Sequence, residues 1–455
     1  MQIKIKNTKL FLAAIFVLCT GSQLFSYGGN TAIAPLLTAI GGYEFYSLVA
    51  PLGATGMMVA LPAVAALGRK IGSKTVLFLG AFLMLFGRVG MQFANSVFTI
   101  GLFNFLGSFG SGFVITAPFV MIGTAFERSA SIKYYGYIAT FNAIGSLIGP
   151  PLAGMLVDVN LPRISFLLWI PLYVFSLIAI GMLYPNSKSQ SKEKFDVTGW
   201  LYLAIMVFAF VMWTGLSGKV FPWLSFGLLL PVAVAAWLLV RHSGRIANPT
   251  VPIRVFQYKR FRTAFFSNCC VVVFSTCASG YLLNYLLYVM NTSATLGSTT
   301  TIPSTIVITI LGLFLGKILA KNFAKNVRTM TIIGSFCTFG ALLCFALLQS
   351  TSSILQVWIG SALGGVGNAI SQTCLTPYFQ YGLPTEEYGP AQGMYQFSST
   401  CMATIFVAVV GVLVGVTGDL KYVFYTGLIV TFINVLICLT SIRIRPDEVI
   451  ETTGA

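Results

Sequence analysis

The sequence predicts an all-α integral membrane protein of about fourteen transmembrane helices, on three observations. Of its 455 residues, 56% are hydrophobic and 8% are charged, against about 25% charged in an ordinary soluble domain. Mean hydropathy is +0.87, more apolar surface than a soluble core could hide. The apolar residues also gather in runs that match a bilayer core of about 30 Å, which about 20 helical residues cross.

The first run, Leu10 to Leu37, follows Lys4, Lys6 and Lys9. It outlasts the apolar stretch of about 7 to 15 residues of a cleaved signal, so it reads as a retained first helix. Tyr46 to Leu67, Thr75 to Phe93, Val97 to Phe126, Tyr134 to Val157 and Phe166 to Tyr184 complete a group of six. Gly199 to Leu216 and Trp223 to Val240 stand apart as a seventh and an eighth. A second group of six follows: Thr263 to Met290, Ser298 to Leu319, Met330 to Leu348, Ile354 to Tyr378, Ala391 to Val416 and Tyr422 to Ile442. The expected organisation is an N-terminal six-helix bundle over 1–184, two additional helices with a basic loop over 185–262, and a C-terminal six-helix bundle over 263–455.

Charge orients the chain, because Lys and Arg accumulate in short cytoplasmic loops. With both termini inside, those loops hold nearly every cation, among them Arg69, Lys70, Lys74, Arg128, Lys133, Arg254, Lys259, Arg260, Arg262, Lys317, Lys321, Lys325 and Arg328. The opposite loops hold Arg163, Lys219 and Lys421. This asymmetry accounts for the net charge of +16 and removes any need for a nucleic-acid partner. The nine cysteines lie inside apolar runs without C-x-x-C spacing, and His242 sits in a basic loop without a nucleophile motif beside it. No metal, cofactor or enzyme chemistry is expected.

Internal echoes indicate repeated bundles. The segment from Ala65 to Lys74 after the second run, with its basic turn, resembles Gly316 to Lys325 after the tenth. Gly110, Gly112 and Pro118 in the fourth run are echoed by Gly365, Gly367 and Pro377 in the twelfth. Transporters are often built from repeated bundles of this kind, with a site at their interface.

The fifth run reads Gly145-Ser-Leu-Ile-Gly149-Pro150-Pro-Leu-Ala-Gly154. This is close to the antiporter motif G-x-x-x-G-P-x-x-G-G of the major facilitator superfamily, and the chain resembles the fourteen-helix drug/proton antiporter family within it. Arg163 to Pro171 is similar to that family's opening of the sixth helix, Phe195-Asp196-Val-Thr-Gly199 to its opening of the two extra helices, and Asn248 to Phe261 to the basic loop after them. The turn bearing Arg69, Lys70, Gly72 and Lys74 falls at its cytoplasmic loop motif. The resemblance implies the major facilitator fold, two six-helix bundles plus two linker helices. It also implies a secondary active transporter for small amphipathic organic compounds, working by alternating access as a drug efflux antiporter with protons as coupling ion. A monomer in the plasma (inner) membrane, with a small organic substrate and the lipid bilayer as its partners, completes that expectation.

Proton coupling by the family's usual residues is not carried over. Ser26 stands at the acidic position of the first helix, Leu106 at the arginine of the fourth, and Arg69 at the aspartate of the loop motif. All eleven acids fall in loops or at helix ends, and Glu44 and Asp158 near the outer mouth are the nearest substitutes.

One charge does stand deep in a run. Arg88 lies about 14 residues, roughly 21 Å, beyond Lys74. A cation at such depth costs about 2.5 to 3.5 kcal/mol on insertion scales. Two readings are open for it: it snorkels outward beside Gln92, or it lines the cavity and attracts an anionic or strongly dipolar substrate. The second favours uptake or exchange of an amphipathic organic anion as the alternative function. A receptor or channel is the remaining class, for which neither a sensing domain nor a charged pore ring is visible. Uncharged candidates for substrate contact are Tyr27, Asn30, Asn104, Asn268, Tyr281, Asn284, Gln372 and Gln396, each of which could equally bond one helix to another.

Overall fold

The computed structural model describes residues 5, 7–42, 45–159, 161–185, 195–216, 226–246, 249–282, 285–286, 289–292, 299–384 and 387–443. A helix lies on each of the fourteen apolar runs, and no strand occurs among the described residues. Eleven helices there are long and apolar enough to cross a membrane, and two shorter apolar ones, Leu52–Val64 and Val197–Trp213, fall on the second and seventh runs. The helix on the ninth run begins ahead of it, at Lys259, and takes in the cations Lys259, Arg260 and Arg262, which dilute its apolar stretch.

The chain divides into two compact units. The first comprises Met1–Phe126, Ile144–Gln257 and Pro384–Thr400; the second comprises Glu127–Ala143, Tyr258–Leu383 and Cys401–Ala455. Helix α1 (Thr8–Gln23) starts from Asn7, whose side chain accepts the Leu10 N–H at 3.2 Å. It widens into a π turn over Leu24–Gly28 and continues as α2 (Gly29–Ala39). A π turn makes a local bulge in the hydrogen-bond ladder, and such bulges recur at functional sites.

In the first unit α3 (Tyr46–Ile71), α4 (Ser73–Gly90) and α5 (Val97–Ala125) form a packed trio. Glycines let the backbones meet: a Cβ on Gly110 would lie 2.3 Å from the Met84 nitrogen of α4, and one on Gly87 would lie 2.3 Å from the Gly107 nitrogen of α5. Without side chains there, the two helices gain dispersion contact along their length. Helix α6 (Arg128–Asp158) contributes from Ile144 onward, and α7 (Ile170–Leu183) packs on α1. The two extra helices, α8 (Val197–Leu216) and α9 (Leu229–Ser243), belong to this unit too. α9 packs on α8 and α8 on α3, where Trp200 Nε1 donates to the Val59 carbonyl at 3.0 Å.

The second unit contains α10 (Lys259–Thr276), a second π turn over Cys277–Tyr281, α11 (Ile302–Lys321), α12 (Phe323–Ala346), α13 (Ile354–Gln380), most of α14 (Tyr388–Thr417) and α15 (Lys421–Ser441). Its core is aromatic, with Phe274 stacked on Phe345 and Phe345 tilted against Phe424. The repeat echo holds in kind but not in register. Gly110 faces α4 and Gly112 faces α3, whereas Gly365 faces α11 and Gly367 faces α12, so the order of neighbours is reversed.

Candidate functional site

Arg88, in the last turn of α4, is 1% exposed. Its guanidinium carbon sits 5.9 Å from the centre of the Phe166 ring. A Cβ on Gly29 would lie 2.9 Å from its Nη1, and one on Gly107 would lie 3.5 Å from its Nε. The head is thus turned inward among α2, α5 and the 3-10 turn Pro162–Phe166, not outward beside Gln92. Gln92 is engaged elsewhere, since its Nε2 donates to the Arg163 carbonyl. Among the described residues, neither Nε nor Nη1 of Arg88 has a hydrogen-bond partner.

Two other cations near helix ends do find acceptors. Arg163 donates to the carbonyls of Gln92 and Ala94 and to Asn95 Oδ1, closing the end of α4 against the 3-10 turn. Lys74 Nζ donates to the carbonyls of Gly181 and Tyr184, which caps the C-terminus of α7 where the helix dipole favours a cation. Gly72 has φ +87, a left-handed conformation that glycine adopts without strain, and it makes the sharp turn from α3 into α4. Lys70 is exposed beside it. The loop motif is therefore a tight turn plus a cap.

Asn104 on α5 donates to the Val49 carbonyl of α3 at 3.1 Å and is buried, a bond between helices. A Cβ on Gly145 would come within 2.5 Å of the Thr20 carbonyl oxygen, so α6 touches the backbone of α1 there; Gly149 is buried one turn on. Gln396 is half-buried on α14. Tyr27, Asn30, Arg69, Pro150 and Gly154 lie on helices, but their side chains are outside the described part.

In the second unit, Gln372 Nε2 donates to Asn368 Oδ1 at 3.0 Å and Asn368 Nδ2 to Ser275 Oγ at 3.3 Å, a polar ladder joining α13 to α10. Tyr281 closes the π turn and donates to the Val407 carbonyl at 3.5 Å. Asn268 is half-buried on α10, and Asn284 lies outside the described residues.

Sequence reasoning missed one cluster. Asp196, at the head of α8, accepts the Gly199 N–H at 2.8 Å and the Thr250 N–H at 3.3 Å, and it pairs with His242 Nε2 at 2.8 Å from the end of α9. The Thr250 hydroxyl donates to the Asp196 carbonyl at 2.8 Å. Asp at a helix start with its acceptor aimed at the third amide is legible as an N-cap. The partner from 46 residues away is not. A Cβ at Gly199 would lie 2.3 Å from Asp196 Oδ2, which explains that glycine.

Burial pushes the Asp196 carboxyl up, but the Gly199 amide, His242 and the Thr250 amide outweigh it and hold it below its ordinary value. The sign follows: the stabilisation is complete above the ordinary carboxylate value of about 3.9 and is lost as pH falls through the lower folded value. Asp196→Asn should cost about 2 kcal/mol at neutral pH. Thermal unfolding in detergent should show a gap between variant and wild type at pH 7 that closes in strong acid. A gap constant with pH would sink the charge argument.

Comparison with known proteins agrees with this architecture. The description of the Major Facilitator Superfamily matches residues 16–407 and 265–454. An MFS-type transporter of Mycobacterium tuberculosis is 24% identical over 319 residues, 66% of this chain and 44% of that one, so this chain spans less than half the length of that relative. The multidrug resistance protein Stp of the same species is 24% identical over 360 residues, 78% of this chain and 66% of that one. Among solved structures, a bacterial homologue of the iron transporter ferroportin, in its outward-facing state, superposes with a TM-score of 0.66 at 13% identity, covering 95% of this chain and 98% of the other. The family match over residues 16–407, on a chain with a helix at each of fourteen apolar runs, shows that the chain belongs to the Major Facilitator Superfamily, a transporter rather than an enzyme.

Proposed function

We propose that this transporter exports small amphipathic organic compounds, in the manner of multidrug efflux, by alternating access. The observation that carries the reading is the likeness to Stp over 78% of the chain, joined to an interior of aromatic and amide side chains with little charge. Flat apolar compounds are held in such surroundings by burial and ring contacts more than by specific hydrogen bonds. The cation bias of the loops supports a plasma membrane location with both termini inside. Proton antiport is the coupling the family resemblance implies, and the chain is proposed to work as a monomer.

The test is transport in proteoliposomes with an imposed proton gradient, across a panel of lipophilic dyes and antibiotics. Efflux that collapses when an ionophore dissipates the gradient is the expected result. Transport indifferent to the gradient would remove the proton from the reading, and no transport of any amphiphile would remove the reading itself.

A further inference from the structure

We propose that Arg88 receives the anionic head group of an amphipathic substrate, so that the compounds carried include organic monoanions such as carboxylates and sulfonates. This rests on the carrier reading above and narrows it.

The first ground is the contrast among cations. Lys74, Arg163 and Arg260 each donate to backbone carbonyls. Arg88 is more deeply buried than any of them, yet two of its donor atoms, Nε and Nη1, have no partner among the described residues. A guanidinium stays charged at any physiological pH, and a buried charge is tolerated when it is paired. The sequence places no acid inside any apolar run. Among the described residues, then, nothing accepts from these two donors, and an acceptor brought in by a substrate would complete the arrangement.

The second ground is the backbone beside it. Gly29, which lies against Nη1 so closely that a Cβ there would come within 2.9 Å of it, immediately follows the π turn Leu24–Gly28. A bulge there gives the first transmembrane run a point at which its bend can change. A change of bend at Leu24–Gly28 carries Gly29 off the guanidinium and opens Nη1 to a ligand. The ninth run bears the matching π turn at Cys277–Tyr281.

The chemistry selects the ligand. The planar fork of an arginine fits the paired oxygens of a carboxylate or sulfonate, and one cation balances one negative charge. Phe166, stacked below the head, offers an apolar floor to a tail.

The experiment compares two permanently charged probes with the same ring, naphthalenesulfonate and naphthylmethyl-trimethylammonium, in proteoliposomes holding wild type, Arg88→Lys, Arg88→Gln or Gly29→Ala. The sulfonate should be carried by wild type. Its KM should rise at least about tenfold in Arg88→Gln and less in Arg88→Lys, and in each variant by more than the KM of the cation shifts. Gly29→Ala leaves the charge in place but puts a methyl group against Nη1. It should raise the sulfonate KM alone, which keeps the test decisive if Arg88→Gln does not fold. Thermal stabilisation of purified protein by the sulfonate should vanish in Arg88→Gln.

Transport of the cation but not the sulfonate by wild type overturns the proposal and leaves the carrier reading standing. Equal sulfonate KM in all four proteins overturns it as well. Arg88-dependent stabilisation by chloride, with no transport of the sulfonate, assigns the seat to a free inorganic anion and also overturns it. Transport of neither probe, nor of any compound in the wider panel, removes both.

Discussion

Gly110→Val is expected to abolish folding of the first unit. The first added carbon would lie 2.3 Å from the Met84 nitrogen and 2.4 Å from the Gly80 carbonyl oxygen. Both are backbone atoms inside a helix, so neither can swing aside as a side chain would. Relief requires α4 and α5 to separate, and that also breaks the approach of Gly87 to Gly107 and the packing of Phe113 on Gly80. Overpacking of an ordinary core costs about 1 to 3 kcal/mol. A whole helix seam should exceed the upper figure. The variant should give no monodisperse peak in size-exclusion chromatography. Gly411→Ala, where an added carbon meets nothing within 4 Å, should behave as wild type or gain about 1 kcal/mol of helix propensity. A Gly110→Val protein that elutes and melts normally would refute the seam.

Gly145→Leu should leave the protein folded and slow it. Its Cβ would lie 2.5 Å from the Thr20 carbonyl oxygen and 2.8 Å from the Gln23 Cβ. Only one flank of α6 is involved, and Gly145 lies just past Ala143, where the chain passes from the second unit into the first. A wedge there acts on a helix that both units share, so it hinders the cycle more than the stability of either unit. Initial transport rates should fall about tenfold or more, roughly 1.4 kcal/mol on the barrier, with the melting temperature shifted by a few degrees at most. A rate within about twofold of wild type would deny α6 this role.

The helical class was legible because a bilayer imposes one simple rule, an apolar run of fixed length, on every crossing. Each of the fourteen runs carries a helix. Bends were not legible: nothing in Leu24 to Gly28 distinguishes a π turn from an α turn, since Gly28 and Gly29 permit either. Arg88 was visible as a deep charge, but its direction was not, because Gln92 beside it offered a plausible surface partner that in fact serves Arg163. The Asp196–His242 clasp stayed hidden for a different reason. A sequence shows a cap three residues away and gives no sign of a partner that only the packing of α9 on α8 delivers.

The reversed order of the paired glycines bears on how chimeras of this chain should be built. Grafting α13 in place of α5 by matching Gly365 to Gly110 would aim the first glycine at α3 and the second at α4, each opposite the wrong backbone. A shift of two residues, Gly367 onto Gly110 and Gly365 onto Ser108, restores both neighbours, because Ser108 faces Gly53 of α3 as Gly365 faces Ser304 of α11. Domain-shuffled versions of this transporter should therefore be spliced two residues off the glycine echo, with the packed trio as the guide.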